Sequence, residues 1–158
     1  MITWPRVPID FERGWDMCFG CGKYNPIGLK LKFQQDGNIV RAEFTPNNNH
    51  QGWSGIVHGG LLFTLLDEAM GYAVLYQGLS SVTAKMHARL KHPAVIGEPL
   101  VITGSITGKE RKLITAEAAI SLKDGTPVAE ATGTMYVIGQ MPGDDSKKEE
   151  KPKNDTER

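Results

Sequence analysis

The chain has 158 residues, 40% of them hydrophobic and 23% charged, with a formal net charge of +0. That length and balance fit one globular domain with a sizeable core and leave no room for two independent cores. A neutral chain has no overall field to gather nucleic acid or an anionic membrane, so any anion it binds must be met by local groups.

No apolar run approaches the ~20 residues of a membrane helix. The start, Met1-Ile2-Thr3-Trp4-Pro5-Arg6, has neither the basic nor the apolar part of a secretory leader. A cytoplasmic protein is expected. Three units follow from composition: a lead-in over 1–17, a folded domain over 18–140 and a tail over 141–158.

Trp4, Phe11 and Trp15 stand among Pro and charged residues without a clear period, which reads as an irregular or short helical lead-in whose aromatics pack on the body. The two cysteines of the chain follow in Cys18-Phe19-Gly20-Cys21-Gly22. Two thiols at this spacing supply half of a zinc site, but the second half is missing unless His residues complete it, and no strand and helix flank them as a redox motif requires. They read as a glycine-rich turn with two partly buried thiols, and no metal is expected.

Asn25-Pro26-Ile27-Gly28 signals a turn, and Leu29-Lys30-Leu31-Lys32-Phe33 then alternates as a half-buried strand does. Asp36-Gly37-Asn38 closes a hairpin onto Ile39-Val40-Arg41-Ala42-Glu43-Phe44. A polar, Asn-rich loop from Thr45 to Ser54 brings donors and acceptors up to Gly55-Ile56-Val57-His58-Gly59-Gly60.

From Leu61 to Leu75 apolar residues occupy almost every side, which predicts a core helix wrapped by protein on most of its circumference. Gly60, Thr64, Asp67 and Gly71 share one narrow stripe of it. A carboxylate among small residues on a buried helix needs either a cationic partner or a special role. The Gly59-Gly60 end leaves backbone N–H groups unpaired where the helix dipole is positive, so one stripe carries an anion-binding end and an acid. Glu68 lies off the stripe and is the second choice.

Gly78 and Ser80-Ser81 stop the helix. Strands are expected over Val82 to Leu90, Pro99 to Lys109, Leu113 to Lys123 and Pro127 to Ile138, the last two joined by a hairpin at Asp124-Gly125. From Pro142 the chain is too polar to order itself. Two strands, one helix and four strands make an α+β fold, an antiparallel sheet curled around a single helix.

This order, with His58-Gly59-Gly60 nine residues before Asp67, resembles the hotdog-fold acyl-CoA thioesterases of the phenylacetate-pathway type. The similarity runs from about Cys18 to Ile138 and includes the Cys18–Gly22 stretch, Asn25-Pro26 with Gly28-Leu29, and Val82-Thr83-Ala84-Lys85-Met86 leading to Lys91-His92-Pro93-Ala94.

The resemblance implies hydrolysis of an acyl-CoA to a free acid and CoA. The Gly59 N–H is then the oxyanion donor, and His58 positions that turn or orients the carbonyl. Asp67 is the general base or a nucleophile, and Thr83 is the hydroxyl that holds the attacking water. No cofactor is implied beyond the coenzyme A of the substrate. The site implies a homodimer, or a dimer of dimers, with the acid from one subunit and the His-Gly turn from the other.

Relatives often carry Asn or Gln six residues before the His as a second carbonyl donor. Here that position is Gly52, and the neighbouring Gln51 is the candidate to replace it. On the strand after the helix, Lys85, His87, Arg89 and Lys91 alternate onto one face, and Arg89 and Lys91 are the candidates for the CoA phosphates. A hydratase on the same fold would pair His and acid at a different spacing. A non-catalytic acyl-CoA sensing module would keep Gly59 and the basic face, and a DNA-reading regulator has no helix-turn-helix to support it.

Overall fold

In a computed structural model, residues 16–141 form one antiparallel sheet and one long helix. The lead-in expected over Met1 to Trp15 and the disordered tail expected from Pro142 lie outside the described residues.

The strands are β1 (Gln34–Asp36), β2 (Ile39–Phe44), β3 (Leu79–Leu90), β4 (Leu100–Glu110), β5 (Leu113–Leu122) and β6 (Pro127–Gln140), and the helix α1 is Gly59–Leu75. They form a six-stranded sheet in the order β1-β2-β4-β5-β6-β3, with every neighbour antiparallel. β3 follows the helix in sequence yet lies at the far edge, because α1 carries the chain across the sheet. The sheet order and the single helix are those of the hotdog fold.

The predicted alternation holds most plainly in β2 and β5, where Val40, Ala42 and Phe44 and then Ile114, Ala116, Ala118 and Ile120 are buried. The β1–β2 hairpin turns through Gly37-Asn38, with Gly37 at φ 59°. Leu29, Leu31 and Phe33 are buried and Lys30 and Lys32 exposed, as the alternation requires. The ladder itself starts only at Gln34. The Leu29 and Leu31 N–H groups bond instead to the carbonyls of Phe19 and Gly20, at 2.8 and 3.0 Å, so this stretch is tied to the cysteine turn rather than to a strand.

Helix α1 buries Leu61, Leu62, Leu65, Leu66, Ala69, Met70, Ala73 and Val74 against strands β2 to β6. Two sheet glycines permit the close approach. A Cβ at Gly104 would overlap the Ala69 carbonyl, and one at Gly133 would stand 2.8 Å from the Met70 sulfur. The expectation of a helix wrapped on most sides needs correction. Within one chain the sheet covers one broad face, and Phe63, Thr64, Asp67, Glu68, Gly71 and Tyr72 remain partly or largely open.

No helix among the described residues is long and apolar enough to cross a membrane.

Candidate active site

The polar loop before the helix is folded tightly on itself. Asn47 caps a 3-10 turn at Asn48–His50 by accepting from the Asn49 N–H at 2.9 Å, while His50 Nδ1 accepts from the Asn47 N–H at the same distance. The His58 N–H bonds to the His50 carbonyl, Gly52 N–H to Ile56 and Val57 N–H to Ala94, each at 2.9 Å. This double return fixes the backbone at the helix entrance.

His58 is the helix N-cap, with φ −60° and ψ 132°. Its Nδ1 accepts from the Gly60 N–H at 2.9 Å, which leaves Nε2 to carry the proton of a neutral ring. Its carbonyl accepts from Leu61 and Leu62. The Gly59 N–H alone of this first turn has no acceptor among the described residues. A helix N-terminus with one free N–H is an anion-binding end.

Gln51 lies with His58, Gly60 and Thr64 along one groove. Its Oε1 accepts from the Gly55 N–H at 3.0 Å, bracing the loop and leaving only its amide N–H2 to donate. A Cβ at Gly52 would stand 3.3 Å from His58 Cα and Cδ2, so a longer side chain there would lie against the His58 ring.

Asp67 projects from α1 into a separate cleft of about 330 Å³, whose walls include Gly71, Tyr72, Ser81, Val82 and Thr83. The Thr83 hydroxyl donates to Asp67 Oδ1 at 2.5 Å. Asp67 forms no ion pair with Lys or Arg among the described residues. The reading of this acid as half of a structural ion pair therefore has no partner to rest on.

Thr83 reaches Asp67 because of an irregularity in β3. The pairing with β6 shifts between Thr83 and Lys85, leaving Ala84 as an extra residue. Thr83 faces the helix, and beyond the bulge Met86 and Ala88 face it while Lys85, His87 and Arg89 point out. Strict alternation would put Thr83 on the basic face.

On that outer face, Lys91 Nζ sits 2.6 Å from Glu130 Oε2 on the adjoining strand. Arg89 shares a shallow depression with His87, Glu117 and Glu130, and has no ion-pair partner among the described residues.

Beside the acid cleft is a cluster that a scan for local spacing does not find. Cys18, Cys21 and Glu68 bring their ligand atoms within 4.8 Å of one another, with Cys18 Sγ 3.5 Å from Glu68 Oε1. The Cys18 thiol donates to the Glu68 carboxylate, and Cys21 and Tyr72 line the same cleft as that carboxylate. Burial pushes the Cys21 thiol up to about 12 and also raises Glu68 and Tyr72. Cys18 and Glu68 are fifty residues apart, and only the fold joins them.

Gly59 and Asp67 are eight residues apart on one helix, so along its axis they are separated by about 12 Å. An oxyanion donor must lie at roughly 3 Å from the carbonyl oxygen, and the attacking atom within about 3.5 Å of its carbon.

The model of the thioesterase superfamily matches residues 54–129, a span holding the His58 turn, the helix and Thr83. An esterase-named protein of Saccharolobus solfataricus is 30% identical over 118 residues, covering 72% of this chain and 76% of its own length. A hypothetical thioesterase of Streptococcus pneumoniae solved with coenzyme A superposes with a TM-score of 0.67 at 27% identity, over 71% of this chain and 91% of that one. Variants of that protein with an Asp or a Thr replaced by Ala have also been solved, and the two positions are sixteen apart. PaaI of Escherichia coli, at 24% identity and a TM-score of 0.67 over 72% of this chain and 83% of that one, shares the fold. The chain belongs to the thioesterase superfamily.

Proposed function

We propose that the protein hydrolyses an acyl-CoA thioester to a carboxylic acid and CoA, at sites shared between two copies of the chain. The observation that carries this is Asp67, a carboxylate in an open cleft held by the Thr83 hydroxyl rather than by a cation. Asp67 and Thr83 are sixteen residues apart, the separation of the Asp and Thr replaced in the Streptococcus pneumoniae relative, which was itself solved with coenzyme A.

In this reading the thioester oxygen lies against the Gly59 N–H of one copy, where the helix dipole meets the charge that develops on it. Asp67 of the other copy takes a proton from water as the water oxygen bonds to the carbonyl carbon. The tetrahedral adduct then collapses, the C–S bond breaks, and the leaving thiolate recovers that proton from Asp67. Thr83 holds the carboxylate or, by turning its hydroxyl, the water. Direct attack by Asp67 through a mixed anhydride uses the same groups.

Sharing between copies is supported by the ~12 Å between Gly59 and Asp67 and by the open face of α1. It is further supported by β3, a twelve-residue strand that, among the described residues, pairs on one side only. Arg89 is the better of the two phosphate candidates, since Lys91 is already held by Glu130.

A second reading, a non-catalytic acyl-CoA binding module, draws on Gly52, which offers no side-chain donor where relatives often carry Asn or Gln. The two readings part on one experiment. Thiol release from short, long and aromatic acyl-CoAs is measured with the parent protein and with Asp67→Asn. Release that depends on Asp67 supports hydrolysis, whereas CoA binding without release supports the module.

A further inference from the structure

We infer that Cys18, Cys21 and Glu68 form a binding site for a soft divalent cation, with zinc the best match. The inference does not rest on the thioesterase reading. It starts from a convergence of donors: two thiols from one turn and a carboxylate from α1, their ligand atoms all within 4.8 Å. Around a tetrahedral zinc, sulfur at about 2.3 Å and carboxylate oxygen at about 2.1 Å stand roughly 3.6 Å apart. The Cys18 Sγ to Glu68 Oε1 separation is 3.5 Å.

The local backbone is shaped to allow this approach. The turn closes with the Gly22 N–H on the Cys18 carbonyl at 2.9 Å, and a Cβ at Gly22 would overlap the Cys18 backbone. A Cβ at Gly20 would overlap the Glu68 side chain, so the absence of one lets that carboxylate reach under the turn to the sulfurs. Tyr72 lines the same cleft as Cys21 and Glu68.

Charge points the same way. Asp67 shares the cleft with Cys21, Glu68 and Tyr72, and among the described residues no Lys, Arg or His lines it. Four groups that become negative on losing a proton line this cleft, and Cys18 adjoins it, with no cation among the described residues of its lining to balance them. A divalent ion supplies that balance. On binding, the two thiols release their protons to solvent, two metal–sulfur bonds and one metal–oxygen bond form, and water takes the fourth position. Two thiolates favour zinc over magnesium or calcium. The bound ion would tie the cysteine turn to the helix one residue from Asp67.

The test uses the reduced, metal-stripped full chain titrated with Co²⁺ as a spectroscopic probe and then with Zn²⁺. The expected result is a near-ultraviolet thiolate-to-cobalt absorption that saturates at one ion per chain, is bleached by Zn²⁺, and is accompanied by a higher melting temperature. Cys18→Ser with Cys21→Ser should lose the band, and Glu68→Gln should shift the titration to higher metal concentration. The parent titration and the melt do not depend on any variant folding. The inference is overturned if no thiolate band appears and the thiols react with a chromogenic reagent equally fast with and without Zn²⁺. It is equally overturned if the pair only oxidises in air to a Cys18–Cys21 disulfide while the reduced chain takes up no metal.

Discussion

The Thr83 hydroxyl donates to Asp67 Oδ1 at 2.5 Å, joining a strand residue to a helix residue sixteen positions earlier. The bond exists because the extra residue Ala84 lets Thr83 and Met86 both face the helix. It makes Asp67 an acid oriented by a neutral donor.

Asp67→Asn should lower turnover of the preferred acyl-CoA by about 10²- to 10⁴-fold, as expected for loss of a general base, with coenzyme A binding near that of the parent. Steady-state thiol release and a binding isotherm check the two halves. Parental turnover in this variant would remove Asp67 from the chemistry.

Thr83→Val keeps the shape of the side chain and deletes its donor. A hydrogen bond to a charged group is worth about 1.5–3 kcal/mol, so kcat should drop by roughly 10- to 10²-fold. Thr83→Ser should restore most of it. If Val and Ser variants behave alike, the hydroxyl is not used and packing explains the position.

Gly59→Pro is a selective test of the oxyanion donor. Gly59 is the first helical residue, where proline is well tolerated, and His58 already has the extended conformation that precedes proline. A Cβ there meets only Leu90 Cδ1, at 3.4 Å. The fold should survive, while turnover falls by about 10²- to 10³-fold with the single N–H. His58→Ala should cost less activity, since that N–H stays, and about 1 kcal/mol of stability from the lost cap. Thermal melts and kinetics on the two variants separate these effects.

Gly104→Ala probes the approach of helix to sheet. Its Cβ would overlap the Ala69 carbonyl, and forcing extra volume into a packed core costs about 1–3 kcal/mol. A lowered denaturation midpoint is expected. Unchanged stability would mean that the helix rides farther from β4 than described.

Much of this was legible in the sequence. The helix, its glycine entrance and the acid stripe stand out because spacing along a helix directly fixes which residues share a face. The later strands were read to within about three residues, because their alternation is maintained along their length. The stretch Leu29-Lys30-Leu31-Lys32-Phe33 shows the limit of that signal. Alternation reports which side is buried, and here the hydrogen bonds go to the cysteine turn, which periodicity does not encode.

Two features of the site were hidden for other reasons. The Ala84 bulge leaves no distinctive residue in the sequence, so the inward turn of Thr83 followed only from resemblance. The meeting of Glu68 with Cys18 and Cys21 depends on a tertiary contact across fifty residues, and a motif scan confined to local spacing finds two ligands and stops. The helix looked wrapped because Phe63, Tyr72 and Leu75 are apolar, yet the described residues of one chain cover only one broad face of it. The remaining face is what a second copy would cover.

Complementation tests the shared site most directly. Asp67→Asn and Gly59→Pro chains, each nearly inactive alone, are mixed in equal amounts, unfolded together and refolded. Random pairing makes half the dimers mixed, and each mixed dimer rebuilds one of its two sites, so thiol release should return to about a quarter of the parental rate. Recovery near that level would show that Gly59 of one copy works with Asp67 of the other. A mixture that forms mixed dimers yet stays as inactive as its parts would contradict the account.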